Sequence, residues 1–81
     1  MTGPRRLATP RRVTVRAGED GCPLTVDDRT VEAVRESWLV EDRWWTAAPL
    51  RRRYWELVGV RGRNVVVFHD LCAGRWFVQG P

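Results

Sequence analysis

Lysine is absent from this chain of 81 residues, and all 14 of its basic side chains are arginines. Arginine forms bidentate pairs with phosphate and stacks on aromatic rings, so an all-arginine set is compatible with a role in recognition. A GC-rich genome that encodes its basic residues as arginine explains the same bias, and both interpretations stay open. The formal net charge is +4 and the isoelectric point is near 10.4, which permits an acidic partner such as nucleic acid.

Cysteine and histidine are scarce. Cys22 and Cys72 are the two cysteines, and His69 is the single histidine. Without a CxxC pair or a second histidine, the sequence excludes zinc sites of the usual Cys and His type, and we expect neither a metal nor a cofactor. Two distant cysteines do not form the disulfide framework of a secreted scaffold, so we expect two reduced thiols.

No catalytic constellation is present in the sequence. His69 and Asp70 are adjacent, so on a strand their side chains would point to opposite faces and could not act as a base and its orienting group. Cys72 has no general base placed to activate it. Paired carboxylates and glycine-rich phosphate loops are missing as well. The sequence therefore predicts a protein that is not an enzyme and has no small-molecule substrate.

Long apolar runs are also missing. No window approaches the roughly 18 apolar residues that a membrane-spanning helix requires, and Arg5 and Arg6 are not followed by the apolar run of a secretory signal. We therefore expect a cytoplasmic protein without a membrane partner. Residues 1–11 combine two prolines and a glycine with arginines, which predicts a flexible arm. Residues 12–81 are the length of a single small domain.

The residues that are present favour strands. β-branched and aromatic side chains alternate with polar ones between short turns that contain glycine, which predicts a mainly β fold. We expect a small antiparallel sheet, or a partly open barrel, of about five to six strands. The predicted strands near the N-terminus are 12–17 and 23–26, and the predicted C-terminal three-stranded meander comprises 53–60, 65–69 and 75–79.

The segment between these regions, from Thr30 to Trp45, is compatible with a helix or a strand at its start. Val31, Val34 and Trp38 fit the spacing of one helical face, so residues 31–37 are compatible with a helix. From Val34 to Val40, however, apolar and polar residues alternate as they do in a strand. We favour a strand that is bent or bulged. Pro49 interrupts the pattern because proline lacks the N–H that a sheet requires.

Aromatic residues are concentrated in the middle of the chain, where residues 38–55 hold four of the five tryptophans. A domain this small needs large side chains in its core, so we expect most aromatic residues there: Trp38, Trp55, Phe68, Trp76 and Phe77. Trp44 and Trp45 differ because consecutive strand residues point to opposite faces. One of this pair is expected near the surface unless both faces are covered or the strand is kinked.

An exposed tryptophan among arginines is typical of a partner-binding hot spot. The arginines near this pair are Arg43, Arg51, Arg52 and Arg53. Together with Trp44 and Trp45 they form the predicted partner-binding site. A purely structural role for the same tryptophans stays open.

Nucleic-acid binding is the alternative function. Small β-barrels bind single strands through aromatic side chains in a basic groove, and each phosphate that is neutralised adds salt-sensitive affinity. The candidate contacts are Arg5, Arg6, Arg11 and Arg12 in the arm, and Arg51, Arg52 and Arg53. Acidic residues in the same region also allow these arginines to be ion-paired on a solvated face; they are Glu36, Glu41, Asp42 and Glu56.

The order of the aromatic motifs resembles a known family. The motifs are WLVEDRWW at 38–45, RRYWEL at 52–57, VFHD at 67–70 and GRWF at 74–77. This pattern resembles the C-terminal tail of ImuB-type proteins, which are catalytically inactive relatives of Y-family DNA polymerases in bacterial damage-induced mutagenesis. It is also similar to a stand-alone small actinobacterial domain family of uncharacterised function. The resemblance covers residues 31–79.

The resemblance implies a role in the DNA damage response, as an adaptor in translesion DNA synthesis that docks polymerase-associated subunits. The chain departs from the larger proteins because it lacks their polymerase-like body. It also lacks a sliding-clamp peptide led by glutamine, since its one glutamine, Gln79, lies in the last predicted strand. Clamp binding is therefore not implied. The leading hypothesis is a non-catalytic protein-interaction adaptor, and the alternative is a small β domain that binds DNA.

Overall fold

Two antiparallel sheets make up the part of the chain that the structure describes. The structure is a computed structural model that describes residues 10–43 and 45–79. Its eight strands are β1 (Arg11–Val13), β2 (Val15–Ala17), β3 (Pro23–Val26), β4 (Arg29–Thr30), β5 (Ala33–Asp42), β6 (Leu50–Val60), β7 (Arg63–Asp70) and β8 (Arg75–Gln79). The large sheet has the order β1-β8-β7-β6-β5, and the small sheet has the order β2-β3-β4.

The mainly β, antiparallel prediction is confirmed, and so is the C-terminal meander, which is formed by β6, β7 and β8. The described residues form eight strands because residues 15–30 form a separate sheet, and their two sheets do not close into a barrel. The described residues contain no helix, and so no helix among them is long and apolar enough to cross a membrane.

Two hairpin turns owe their shape to residues with positive φ. Asp27 and Asp28 join β3 to β4 with φ angles of 48° and 67°, and Arg61 and Gly62 join β6 to β7 with φ angles of 55° and 74°. Two central residues with positive φ define the tight hairpin turn whose twist matches that of the flanking strands. Aspartate and glycine adopt this conformation readily, whereas Arg61 does so at a cost in backbone strain.

The first predicted strand is divided at Thr14. β1 pairs with β8 in the large sheet, and β2 pairs with β3 in the small sheet. Asp27 fixes this corner, because its carboxylate accepts the Thr14 N–H at 2.9 Å and its own N–H donates to the Thr14 carbonyl at 2.7 Å. The chain therefore changes sheets at Thr14. β1 already begins at Arg11, the last residue of the predicted arm, and residues 1–9 lie outside the described residues.

The segment that the sequence left between a helix and a bulged strand forms a strand. β5 runs from Ala33 to Asp42 along one edge of the large sheet, and its pairing with β6 shifts between Val34 and Glu36. This bulge leaves Arg35 as the extra residue. The bulged-strand interpretation is therefore right, and the helical spacing of its apolar residues is coincidental.

The core lies between the two sheets. Its buried residues are Val13, Val26, Trp55, Leu57, Val60 and Val67, and Trp76 and Val78 pack against them. Val26 comes from the small sheet and the others from the large one or its end. The small sheet therefore covers one face of the large sheet.

Candidate interaction surface

The other face of the large sheet holds a row of aromatic rings. In the strand register Trp38 is opposite Tyr54, Tyr54 is opposite Phe68, and Phe68 is opposite Phe77. Directly opposite residues in antiparallel strands share a face, so the four rings follow one another across β5, β6, β7 and β8. We call these four residues the aromatic row. Within the described residues the second sheet packs on the opposite face, through Val26 and Trp55.

The rings of the aromatic row pack against one another. Ring centroids are 5.4 Å apart for Trp38 and Tyr54, 5.0 Å for Tyr54 and Phe68, and 5.1 Å for Phe68 and Phe77. The first pair is almost parallel, at 3°, and the other two are inclined by 37° and 22°. Tyr54 and Phe68 therefore have a ring neighbour on both sides.

Arg52 covers the centre of the row. Its guanidinium carbon is 4.5 Å from the centroid of Phe68, and its Nη1 donates to the Tyr54 hydroxyl at 3.4 Å. This cation–π contact helps to reduce the exposure of Phe68 to 1%. No carboxylate of the described residues lies within ion-pair distance of Arg52, and its buried Nε has no hydrogen-bond partner there. The guanidinium charge therefore stays available to a partner.

Charges of opposite sign lie on the two sides of the aromatic row. On one side the register aligns Arg52, Asp70 and Arg75, and on the other side it aligns Glu36 with Glu56. Asp70 is occupied by the turn that follows it, because its Oδ1 accepts the N–H groups of Cys72 and Ala73, both at 3.0 Å. Asp70 therefore shapes this turn, and the arginine side stays basic.

The three consecutive arginines at 51–53 do not form one surface. Arg52 lies on the face of the aromatic row, whereas Arg51 and Arg53 lie on the opposite face because side chains alternate along β6. Arg51 forms an ion pair with Glu41 at 3.1 Å, and the Arg53 guanidinium lies 6.0 Å from the ring of Trp55. The pairing with acidic residues that the sequence allowed is therefore real for Arg51.

Trp45 lies in the connection between β5 and β6 and is 65% exposed. Its predicted companion Trp44 lies outside the described residues. Arg43 is exposed and has a φ of 54°, and its carbonyl accepts the Thr46 N–H at 3.0 Å, which begins a tight reversal immediately after β5. The strand therefore ends before the tryptophan pair, and the strand alternation expected there does not apply to Trp45.

Half-buried apolar side chains extend the aromatic row toward this connection. Val40 is opposite Arg52 and Leu50 is opposite Asp42, which places both on the face of the row. We call the aromatic row together with Val40, Leu50 and Arg52 the aromatic face. It is a continuous, partly exposed apolar strip that ends near Trp45.

The arginines predicted in the arm are separated as well. Arg12 is exposed, lies opposite Phe77 at the end of the aromatic row, and lines with Arg75 a cleft of about 540 Å³. Arg11 points to the other face and pairs with Asp27 at 3.3 Å. Arg5 and Arg6 lie outside the described residues.

Trp38 and Phe77, which are expected in the core, are half-buried in the aromatic row, and Tyr54 joins them although no sequence motif assigns it to a site. The core assignment is right for Trp55 and for the burial of Phe68, which are 7% and 1% exposed. The sequence signal for a second apolar face is a pair of adjacent bulky residues in each of three strands: Tyr54–Trp55, Val67–Phe68 and Trp76–Phe77. Such pairs in three neighbouring strands make both faces of a sheet apolar.

Few side chains of the described residues could act as metal ligands, bases or nucleophiles. No three of their His, Cys, Asp and Glu side chains are placed to hold a metal ion. Burial lowers the pKa of His69, and the neighbouring Asp70 opposes this shift. Both cysteines are free thiols, and burial raises the pKa of Cys22, with a smaller contribution from Asp20. Comparison of the chain with protein-family models, curated proteins and solved structures finds no match.

Proposed function

We propose that this chain is a non-catalytic adaptor that docks a protein subunit of the translesion DNA synthesis machinery on its aromatic face. The observation that carries the proposal is the aromatic row, which lies on the sheet face opposite the small sheet. Three of its four rings, those of Trp38, Tyr54 and Phe77, are only half-buried in the isolated chain and gain apolar burial when a partner covers them. The family resemblance of residues 31–79 supplies the cellular setting, and a cytoplasmic location follows from that setting.

The orientation of the rings favours a protein partner over stacked bases. A base stacks on the open face of an aromatic ring, as in proteins that bind single strands. Tyr54 and Phe68 each have a ring neighbour on both sides, so only Trp38 and Phe77, at the two ends of the row, have a ring face that no other ring of the row covers. Aliphatic and aromatic side chains of a protein pack well over ring edges, which makes DNA binding through this face the second choice.

The charges beside the row define the partner further. Arg52 and Arg75 lie on one side of the aromatic row, and Arg12 lies at its end. A complementary segment would place a carboxylate near Arg52 and apolar side chains over Trp38, Tyr54 and Phe77. Arg52 is already held against Phe68, so less side-chain entropy is lost when it binds a carboxylate.

Trp45 is the candidate hot spot at the end of this surface. Its 65% exposure leaves a large ring to be buried by a partner, and tryptophan is among the residues that dominate binding free energies. Because little of its surface is buried in the isolated domain, its replacement should leave the fold intact. Trp45→Ala therefore separates loss of docking from loss of folding.

The proposal is tested by titrating the 81-residue protein with a purified ImuB-type protein, alone and together with its polymerase subunit, by isothermal calorimetry. Trp45→Ala and Val40→Asp should each weaken the complex by about tenfold or more, because hot-spot truncations exceed about 1.4 kcal/mol. Leu24→Ala is the matched control, since Leu24 is 49% exposed but belongs to the small sheet. Absence of binding by the unaltered protein, or equal weakening by all three changes, would contradict the proposal.

A further inference from the structure

A second surface, remote from the aromatic row, combines an apolar floor with a ring of arginines. It is a cleft of about 480 Å³ between the end of the small sheet and the β6–β7 hairpin. The arginines that line it are Arg11, Arg29, Arg61 and Arg63, and its apolar lining consists of Val26, Val60, Val65 and Val78. Its volume is within the range of about 300 to 1,000 Å³ that is typical of ligand sites.

The charge of this cleft is strongly unbalanced. Asp27 is the one acidic residue among its lining residues, against four arginines. The carboxylate of Asp27 is engaged by the Thr14 N–H at 2.9 Å and by Arg11 at 3.3 Å. Arg11 is thereby largely neutralised. Arg29, Arg61 and Arg63 have no ion-pair partner among the described residues, so three guanidinium charges face the cleft without compensation.

Two tight backbone turns position Arg29, Arg61 and Arg63 at the same cleft. Val26 pairs with Arg29 across the β3–β4 turn, and Val60 pairs with Arg63 across the β6–β7 turn. Arg61 lies within the second turn, in the left-handed backbone region that non-glycine residues rarely adopt. Two tight turns from different sheets therefore bring like charges together, although this raises their mutual repulsion. An anion placed between them would relieve that repulsion.

We infer that this cleft binds a phosphate group, held by Arg29, Arg61 and Arg63 above the valine floor. Guanidinium groups form bidentate, charge-assisted hydrogen bonds with phosphate oxygens, and phosphate offers enough oxygens to satisfy several arginines at once. The phosphate comes either from a small soluble phosphate compound or from the backbone of a nucleic acid, because both present the same oxygens.

The site is independent of the adaptor proposal. The aromatic row lies on the opposite face of the large sheet from the small sheet, whose end forms part of the cleft. Contact with a nucleic-acid backbone at the cleft needs no stacked base, so the ring orientation that disfavours DNA on the aromatic face does not oppose it.

The inference is tested by titrating the isotope-labelled 81-residue protein with inorganic pyrophosphate and, separately, with a short single-stranded oligonucleotide at constant ionic strength. Saturable shifts of the amide signals of residues 26–29 and 60–63 are expected. The double variant Arg61→Gln/Arg63→Gln should weaken the binding by about tenfold or more, since hydrogen bonds to charged groups are worth about 1.5–3 kcal/mol each. Arg29→Gln provides a second variant, altered in a different strand, if the double variant does not fold.

Arg16→Gln is the matched control, because Arg16 is exposed on β2 and does not line the cleft. It removes one positive charge and should weaken binding by less than about twofold, in line with long-range electrostatics screened by salt. Pyrophosphate that binds as tightly as the oligonucleotide identifies a soluble phosphate ligand. Oligonucleotide that binds at least about tenfold tighter, with a salt dependence reduced in the double variant, identifies a nucleic-acid backbone.

Three results would overturn the inference. The first is the absence of saturable binding of either probe. The second is binding that the Arg61→Gln/Arg63→Gln variant retains at full strength. The third is equal weakening by Arg16→Gln and Arg29→Gln, which would show attraction to the net charge of the protein and no localised site.

Discussion

Tyr54 and Trp55 are neighbours in β6, but their rings belong to different surfaces of the protein. Tyr54 lies between Trp38 and Phe68 on the aromatic face, whereas Trp55 is 7% exposed and packs against Trp76 in the core, with ring centroids 5.1 Å apart. One strand therefore contributes both to the stability of the fold and to its candidate docking surface. Substitutions on the two faces should have different consequences.

Adjacent valines in β7 test this difference directly. Val67 has an exposure of 0% in the core, whereas Val66 is half-buried on the face of the aromatic row. Val67→Ala should lower the free energy of unfolding by about 2 kcal/mol, because it removes buried methyl groups and leaves a cavity. Val66→Ala should lower it by less than about 1 kcal/mol. Urea unfolding followed by tryptophan fluorescence measures both, and equal losses would show that both faces are covered in solution.

Two glycines with positive φ offer a second matched pair. Gly59 and Gly74 have φ angles of 81° and 73°, so alanine is strained at both positions. A Cβ at Gly74 would meet nothing within 4 Å, whereas a Cβ at Gly59 would collide with the Glu32 side chain, including its Cβ. Gly74→Ala should therefore destabilise the protein by about 1 kcal/mol, the backbone contribution alone.

Gly59→Ala should be more destabilising than Gly74→Ala. The Glu32 N–H donates a hydrogen bond to the Val58 carbonyl at 3.0 Å, so Glu32 cannot move away freely. Thermal unfolding of the two variants gives the comparison. If Gly59→Ala were the milder change, the contact between Glu32 and Gly59 would not exist in solution.

Local chemistry made much of the fold predictable from the sequence. The glycine-bearing turns and the β-branched runs of residues 53–79 encode hairpins whose partners are close in the chain, and the structure has them as β6, β7 and β8. The division of the first strand at Thr14 was not predictable, since it depends on hydrogen bonds to Asp27, which lies 13 residues away. Short-range patterns contain no information about such long-range contacts.

The candidate site was harder to predict from the sequence for the same reason. Alternation within β6 was sufficient to separate Arg52 from Arg51 and Arg53, yet their adjacency suggested a single basic cluster. The aromatic row additionally requires the register between strands, because Trp38, Tyr54 and Phe77 fall into one row only when three strand pairings are known. The arginine cleft requires the placement of one sheet on the other, which brings Arg29 near Arg61.

His69 provides a prediction about pH. Its ring stacks on Trp76 with centroids 4.3 Å apart, and burial lowers its pKa below the ordinary value of 6.5, although Asp70 opposes the shift. A histidine with a lowered pKa in the folded state disfavours protonation, so the protein should lose stability as the pH falls through about 6.5 toward the folded pKa. His69→Phe retains a ring on Trp76 and should remove this part of the pH dependence.

The lowered pKa of His69 can also be measured directly by following its ring proton by NMR. Its midpoint should lie below 6.5, and Asp70→Asn should lower it further because the carboxylate favours the protonated ring. A midpoint at or above the ordinary value would mean that burial of the ring does not outweigh the effect of Asp70.

Asp27 gives the opposite case, a carboxylate whose charged form is favoured by folding. The Thr14 N–H is the largest cause that holds the pKa of Asp27 below its ordinary value of 3.8, and Arg11 adds to it, whereas partial burial opposes it. A lowered carboxylate pKa contributes stability that is present above about pH 4 and is lost as the pH falls through the folded pKa. The unaltered protein should therefore lose more stability than Asp27→Asn between about pH 5 and pH 2 in urea unfolding.

Asp27→Asn is an informative substitution because asparagine keeps an oxygen for the Thr14 N–H and tolerates the φ of 48° at this turn. The side chain of Asp27 is 45% exposed, so the loss at neutral pH should stay below about 1 kcal/mol after solvent screening. The same change removes the one carboxylate that lines the arginine cleft and leaves Arg11 unpaired, so pyrophosphate should bind more tightly. Equal acid sensitivity of the two proteins would show that other carboxylates dominate, whereas unchanged pyrophosphate affinity would argue that no phosphate is held beside Arg11.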